Sequence, residues 1–280
     1  MPLKIVRISV LAAVCVLGTP PRAADQPDAQ YVAELLFAAQ QARTRFPDVL
    51  RINPNLDEPF LYDVQKRFIT ARLRDGARVG GYKGGFIPKA PIAGVLFANG
   101  IVRGSPTIER EDFQSLLVEA EIAFRFCGRL SAELDDVAAL KSAVCEIYPA
   151  IELPDAALPA LDRLLKDFLH LRGLLIATNM ASSHLLLGEG IDPADIDLDA
   201  LDIRVEFDGT EIGFRDGIKS EDRIWHRVLW IVNEYVLPNG YDITPEHVII
   251  PGALTGIHPG KPGSYDIDYG ALGRIEFRIR

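Results

Sequence analysis

The sequence predicts an α+β domain carrying an N-terminal helical arm, on two observations. Helical spacing of apolar residues is concentrated in residues 31–74, and from Val79 onward short β-type runs between glycine-rich turns are interrupted by helical patterns at irregular intervals, unlike a regular βαβ repeat. The 280 residues, 48% hydrophobic, supply material for one main core.

The chain opens on what reads as an address. Lys4 and Arg7 precede the apolar run Ile8 to Gly18, and the small residues Ala23 and Ala24 follow, the order of a secretory signal peptide over residues 1–24. Arg22 departs from the small residue preferred before a cut. Export to the periplasm or outside the cell is expected, with a mature start near Asp25; the alternative is an N-terminal core helix in a cytoplasmic protein. The run is shorter than the roughly 18 apolar residues of a membrane span, and no later run supplies one. Removing the signal takes Cys15 and leaves Cys127 and Cys145, which permits one disulfide or two buried thiols.

Residues 25–78 read as the arm. Val32, Leu35, Leu36 and Ala39 give helical spacing within Tyr31 to Arg45, and Phe60, Leu61, Val64, Phe68 and Leu73 within Glu58 to Arg74, which Asp75-Gly76 stops. Residues 79–280 read as the main domain. Strands are expected at Val79–Phe86, Gly94–Val102, Leu117–Phe126, Ile203–Phe214, His247–Ile250 and Arg274–Ile279, and helices at Ser131–Ser142, Ala157–Leu171 and Arg223–Val236. A formal net charge of −9 argues against a nucleic-acid partner, whose affinity rests on Lys and Arg displacing counterions.

Within Leu117–Phe126, alternation puts Val118, Ala120, Ile122 and Phe124 on one face and Glu119 with Glu121 on the other. Buried carboxylates side by side are costly unless paired or bound to a cation. Glu152, interrupting another apolar run, is a third candidate, and three carboxylates suit Mg²⁺ or Mn²⁺. A solvated face of an edge strand accounts for the same alternation. The five histidines, His170, His184, His226, His247 and His258, show no metal-ligand spacing, and no P-loop, dinucleotide fingerprint or nucleophile elbow occurs.

Several segments occur in a familiar order: Gly81-Tyr-Lys-Gly-Gly85, Gly94-Val-Leu-Phe-Ala-Asn99, Val118-Glu-Ala-Glu-Ile-Ala-Phe124, Pro149-Ala-Ile-Glu-Leu153 with Asp155, Ala177-Thr-Asn-Met-Ala-Ser182, Pro251-Gly-Ala-Leu-Thr-Gly256 and Asp268-Tyr-Gly-Ala-Leu-Gly273. Together they resemble the fumarylacetoacetate hydrolase superfamily and, within it, the 2-keto-4-pentenoate hydratases, the group of 2-hydroxypenta-2,4-dienoate hydratase and 4-oxalocrotonate decarboxylase. The resemblance implies a mixed β-roll with packed helices, a divalent metal on Glu119, Glu121 and Glu152, and a homo-oligomer. It implies a hydro-lyase that adds water to a small 2-hydroxydienoic or 2-oxo acid through a metal-stabilised enolate. Decarboxylation, hydrolysis of a carbon–carbon bond, and a secreted relative that binds ligand without turnover are the alternatives. Lys83 occupies the family's lysine position; Asn99 stands where an acid is usual, with catalytic work expected there, and Phe86-Ile87 replaces a Leu-Thr pair. Asn179 and Thr255 are the expected substrate-binding residues.

Overall fold

The computed structural model describes residues 28–53, 55–87, 90–164, 166–218 and 221–280; the signal-peptide reading of residues 1–24 lies outside them. The arm consists of α1 (Ala29–Gln41), α2 (Val49–Ile52) and α3 (Glu58–Arg74). Each starts at an aspartate whose carboxylate accepts from a free backbone N–H of the first turn: Asp28 from Gln30, Asp48 from Arg51, Asp57 from Phe60. Val32, Ala33 and Leu36 of α1 and Leu61, Val64 and Phe68 of α3 form a core of their own, completed by residues much later in the chain.

Beyond the arm come β1 (Val79–Ile87), β2 (Ala90–Phe97), β3 (Ile101–Arg103), β4 (Thr107–Ile108) and β5 (Leu117–Phe126), then α4 (Val137–Ala143) and β6 (Val144–Leu153). Helices α5 (Leu161–Leu164) and α6 (Phe168–Ala177) lead to β7 (His184–Leu187), β8 (Ile203–Phe207) and β9 (Thr210–Arg215). After α7 (Glu221–Trp230), which runs on as a π-helical turn over Ile231–Val236, follow β10 (Val248–Ile250), β11 (Ile257–Pro259), β12 (Gly263–Asp268) and β13 (Arg274–Ile279).

Two mixed sheets result. The larger has the order β2-β1-β10-β5-β6-β7-β3, with β11 added to β5; the smaller has the order β4-β13-β12-β8-β9. Among the described residues, parallel pairing is confined to β1–β10, β3–β7 and β4–β13. Helix α7 lies on the larger sheet, with Trp225 edge-on to Phe124 at 4.9 Å between ring centres. Its continuation presses close: a Cβ at Gly84 of β1 would meet Ile231 Cδ1 at 2.6 Å, so a side chain there would have to displace Ile231. Helix α6 supplies Leu171, Leu174 and Ile176 to the arm's core, and Arg172 forks onto Glu58 of α3 through Nε at 2.6 Å and Nη2 at 2.9 Å. Gln65 of α3 donates to Ala93 O and Ile176 O at 3.0 and 2.9 Å, tying arm, sheet and α6 together.

Strand β5 and helix α3 fall at the expected residues. Three expectations are corrected by local chemistry. The helix expected over 157–171 is two pieces, because Asp167 accepts from His170 N–H and starts α6, which runs on to Ala177. The helix expected from Ser131 begins at Val137, where Asp136 caps Ala139 N–H. The single run expected over 203–214 is a hairpin: Asp208 and Gly209 take φ of 47° and 75°, the left-handed pair of a tight hairpin turn. The cysteine question is decided too, since Cys127 and Cys145 are joined as a disulfide between the end of β5 and the start of β6.

Candidate metal centre

Strand β5 is central, between β10 and β6, and both of its faces are covered. Val118, Ala120, Ile122 and Phe124 point into the main core, while Ala123 joins a smaller apolar cluster with Ala150, Leu185 and Ile250 on the opposite face. The solvated edge-strand reading of the Glu119–Glu121 alternation is therefore excluded. The antiparallel register sets Glu119 opposite Glu152 of β6, and Glu121 two residues along on the same face. One oxygen from each of the three carboxylates lies within 4.8 Å of the others. Glu121 and Glu152 are each only 1% exposed, and Glu119 is half-buried.

Three acids cannot share such a space as anions without compensation. Burial pushes Glu119 up to about 8, helped by the Glu152 charge and opposed by Lys83. Burial, then the charges of Glu152 and Glu119, lifts Glu121 well above the carboxylate range, against one bond from Gly252 N–H at 2.9 Å. Burial raises Glu152 as well, with the Lys83 ammonium working the other way. A set of oxygen ligands held with too little positive charge fits a hard divalent cation.

Lys83 arrives from β1, opposite Ile250 of β10. Its ammonium pairs with Glu152 and donates to Met180 O at 3.0 Å, and the residue is 3% exposed. Between β1 and β6 lie three strand spacings, about 14 Å on a flat sheet. A lysine and a glutamate meet across that span only because the sheet curls, with these side chains on its concave face.

The Met180 carbonyl is aimed by an unusual turn. Asn179, Met180 and Ala181 all have φ of 55°, the left-handed region that side chains rarely adopt, at a cost of order 1–3 kcal/mol each. The Asn179 amide clamps this turn to β2: Oδ1 accepts from Val95 N–H at 2.7 Å and Nδ2 donates to Val95 O at 2.8 Å. Next to it, a Cβ on Gly94 would come 2.7 Å from Asn179 Oδ1, so the clamp also needs glycine there. The side-chain amide of Asn179, expected to bind substrate, is thus engaged by the Val95 backbone.

The loop 251–256 folds over β5 through Gly252 N–H on Glu121 and Leu254 N–H on Ala120 O at 2.9 Å. Thr255 sits on this loop against Gly213 of β9, beside His258, with its Oγ1 buried and unpartnered among the described residues. Asn99 is placed otherwise. Gly94 faces Lys83 in the β1–β2 pair, and Asn99 follows five residues later, roughly 15 Å along the chain. It is exposed in a 3₁₀ turn (Ala98–Gly100) and lines a cleft of about 310 Å³ with Gln40, Arg72, Asp112, Ala181 and His184. No hydrogen bond joins Asn99 to Lys83 or to the three glutamates among the described residues. Sequence reasoning overlooked the Met180 carbonyl, the Gly252 N–H and Arg227, whose guanidinium lies over Phe86; only the glycines of the two loops signalled them.

No protein-family profile matches the chain. It is 24% identical over 265 residues, 89% of this chain and 96% of the relative, to the 2-oxo-hept-4-ene-1,7-dioate hydratase of Escherichia coli. Among solved structures, 4-oxalocrotonate decarboxylase from Pseudomonas putida G7, complexed with magnesium and adipate, superposes with a TM-score of 0.79 at 19% identity, over 90% of this chain and 97% of that one. A fumarylacetoacetate hydrolase family protein from Yersinia pestis CO92 gives 0.55 at 14% identity, over 73% and 94%. The fold is that of the fumarylacetoacetate hydrolase family proteins on which the chain superposes, and in sequence the chain is similar to a hydratase.

Proposed function

We propose that this chain is a divalent-metal-dependent hydro-lyase that adds water to a small 2-hydroxydienoic or 2-oxo acid by way of an enolate. The observation that carries the reading is the convergence of Glu119, Glu121 and Glu152 within 4.8 Å, in a pocket where Lys83 is their one ion-pair partner among the described residues. A cation held by these glutamates would take the carboxylate and 2-oxygen of an oxo acid and stabilise the enolate charge. Lys83 gives hydrogen bonds to Glu152 and Met180 O, which leaves a third N–H to direct at an oxygen of substrate or water. Thr255, two residues before the Ile257 that pairs with Glu119, has an unpartnered hydroxyl that would donate to a substrate carboxylate. The hydratase matched over nearly its whole length favours hydration over decarboxylation, which needs the same enolate.

Glu119→Ala, Glu121→Ala and Glu152→Ala are each expected to weaken Mg²⁺ or Mn²⁺ binding tenfold or more and to lower turnover together with it. Calorimetric metal titration, paired with consumption assays over a panel of 2-hydroxydienoic and 2-oxo acids, tests this. Unchanged metal affinity in all three variants would reject the site.

Export rests on residues 1–24. The disulfide supports it, since such bonds persist in oxidising compartments. Intact mass of protein recovered from cell fractions is expected to give a start near Asp25 outside the cytoplasm. Protein found in the cytoplasm with Met1 intact would overturn it. A homo-oligomer, implied by the resemblance, is checked on the same sample by light scattering.

A further inference from the structure

Arg227 of α7 stands at the rim of the carboxylate site. Its guanidinium lies 4.2 Å from the centre of the Phe86 ring, and Phe86 is 50% exposed, whereas Glu121 and Glu152 on the floor are 1% exposed. A carbon built on Gly252 would lie 3.6 Å from Arg227 Nη1, and Gly252 is the residue whose N–H reaches Glu121. Rim cation and floor carboxylates are thus separated by one residue of the covering loop.

Arg227 makes no ion pair among the described residues, and its Nε is buried without a hydrogen-bond partner. Burial draws its pKa below the ordinary arginine range, the Glu121 charge opposes that, and Arg223 and Arg215 add to it. Arg215 is committed to the carbonyls of Leu254 and Ile218, at 3.4 and 3.0 Å. A desolvated donor without an acceptor is costly. A guanidinium stacked on an aromatic face presents a planar fork that fits two carboxylate oxygens.

We propose that Arg227 receives a carboxylate at the end of the substrate remote from Glu119, Glu121 and Glu152, so that the site selects an oxo acid with a second carboxylate over its monocarboxylic counterpart. The remote end is assigned because Phe86, on which Arg227 stacks, is 50% exposed, while Glu121 and Glu152 are buried. This rests on the oxo-acid reading above.

The test compares binding of 2-oxoadipate and 2-oxohexanoate, equal in carbon number, to the Mg²⁺-saturated protein by calorimetry. Wild type is expected to bind 2-oxoadipate about tenfold or more tightly, the scale of one charge-assisted hydrogen bond. Arg227→Met is expected to remove that preference while leaving 2-oxohexanoate within about twofold and Mg²⁺ affinity unchanged, and Arg227→Lys to keep part of it. Equal affinity of wild type for the two acids, or a parallel loss of both in Arg227→Met, would overturn the role of Arg227 alone. Wild type that binds Mg²⁺ but neither acid would overturn the oxo-acid reading itself.

Discussion

Lys83→Met is expected to cost about 3–5 kcal/mol of stability in the metal-free protein at pH 8, and much less once Mg²⁺ or Mn²⁺ is saturating. Removing one partner of a buried ion pair leaves the other charge desolvated and uncompensated, which accounts for a loss of this size. Here Lys83 and Glu152 are 4% and 1% exposed in their side chains, and two further carboxylates stand within 4.8 Å. A divalent cation supplies the missing positive charge, so the loss depends on the metal. Urea unfolding in chelator and in excess Mg²⁺ measures both. Lys83→Met combined with Glu152→Gln, which removes the stranded charge, is expected to recover part of the chelator-state loss. A penalty below about 1 kcal/mol, or one that metal leaves untouched, would show that the pair contributes little to charge balance. Turnover in Lys83→Met is expected to fall by about 10²–10⁴, the usual scale for a group that places or moves a proton.

The local pattern announced more of this site than of its surroundings. Strand β5 was readable because its alternation is unbroken from Leu117 to Phe126, and the two glutamates on one face follow from that period. Alternation reports which side a residue faces and says nothing of what lies on that side. Whether Glu119 and Glu121 met water or a closed cavity depended on β6, β10 and β11 pairing beside them and on the loop 251–256 folding over them, all contacts distant in sequence.

Lys83 shows the same limit. A lysine among glycines carries no sign of burial, and its meeting with Glu152 depends on the curl of a sheet whose strands are far apart in the chain. The left-handed turn Asn179–Ala181 was illegible for another reason: asparagine tolerates such a backbone, but methionine and alanine do not favour it, and the Val95 contacts hold it there. The arm was legible as helices from apolar spacing. That α6 completes its core was not, because α6 is apolar nearly all round and lacks a stripe to show which neighbour it faces.

Metal-free protein is expected to lose stability as pH rises from about 5 to 8, and metal affinity to rise over the same interval. Glu119, Glu121 and Glu152 all bind protons more tightly in the fold than in the unfolded chain, with Glu119 pushed up to about 8 from an ordinary value of 4.5. A raised folded-state pKa contributes stability that is complete below the unfolded value and is lost as pH climbs through the folded one, because the native state then holds the excess protons. The window therefore opens near 4.5 and closes near 8 for Glu119. A divalent cation competes with those protons, so its binding releases protons and strengthens as they become easier to remove. Melting curves in chelator at pH 5, 6, 7 and 8 should show a falling midpoint, and saturating Mg²⁺ should raise the midpoint more at pH 8 than at pH 5. Glu119→Gln, neutral throughout, is expected to flatten the chelator series. A midpoint that stays level or rises with pH in chelator, unchanged by Glu119→Gln, would mean that the carboxylates are already compensated without metal, and the charge argument for the cation would fall with it.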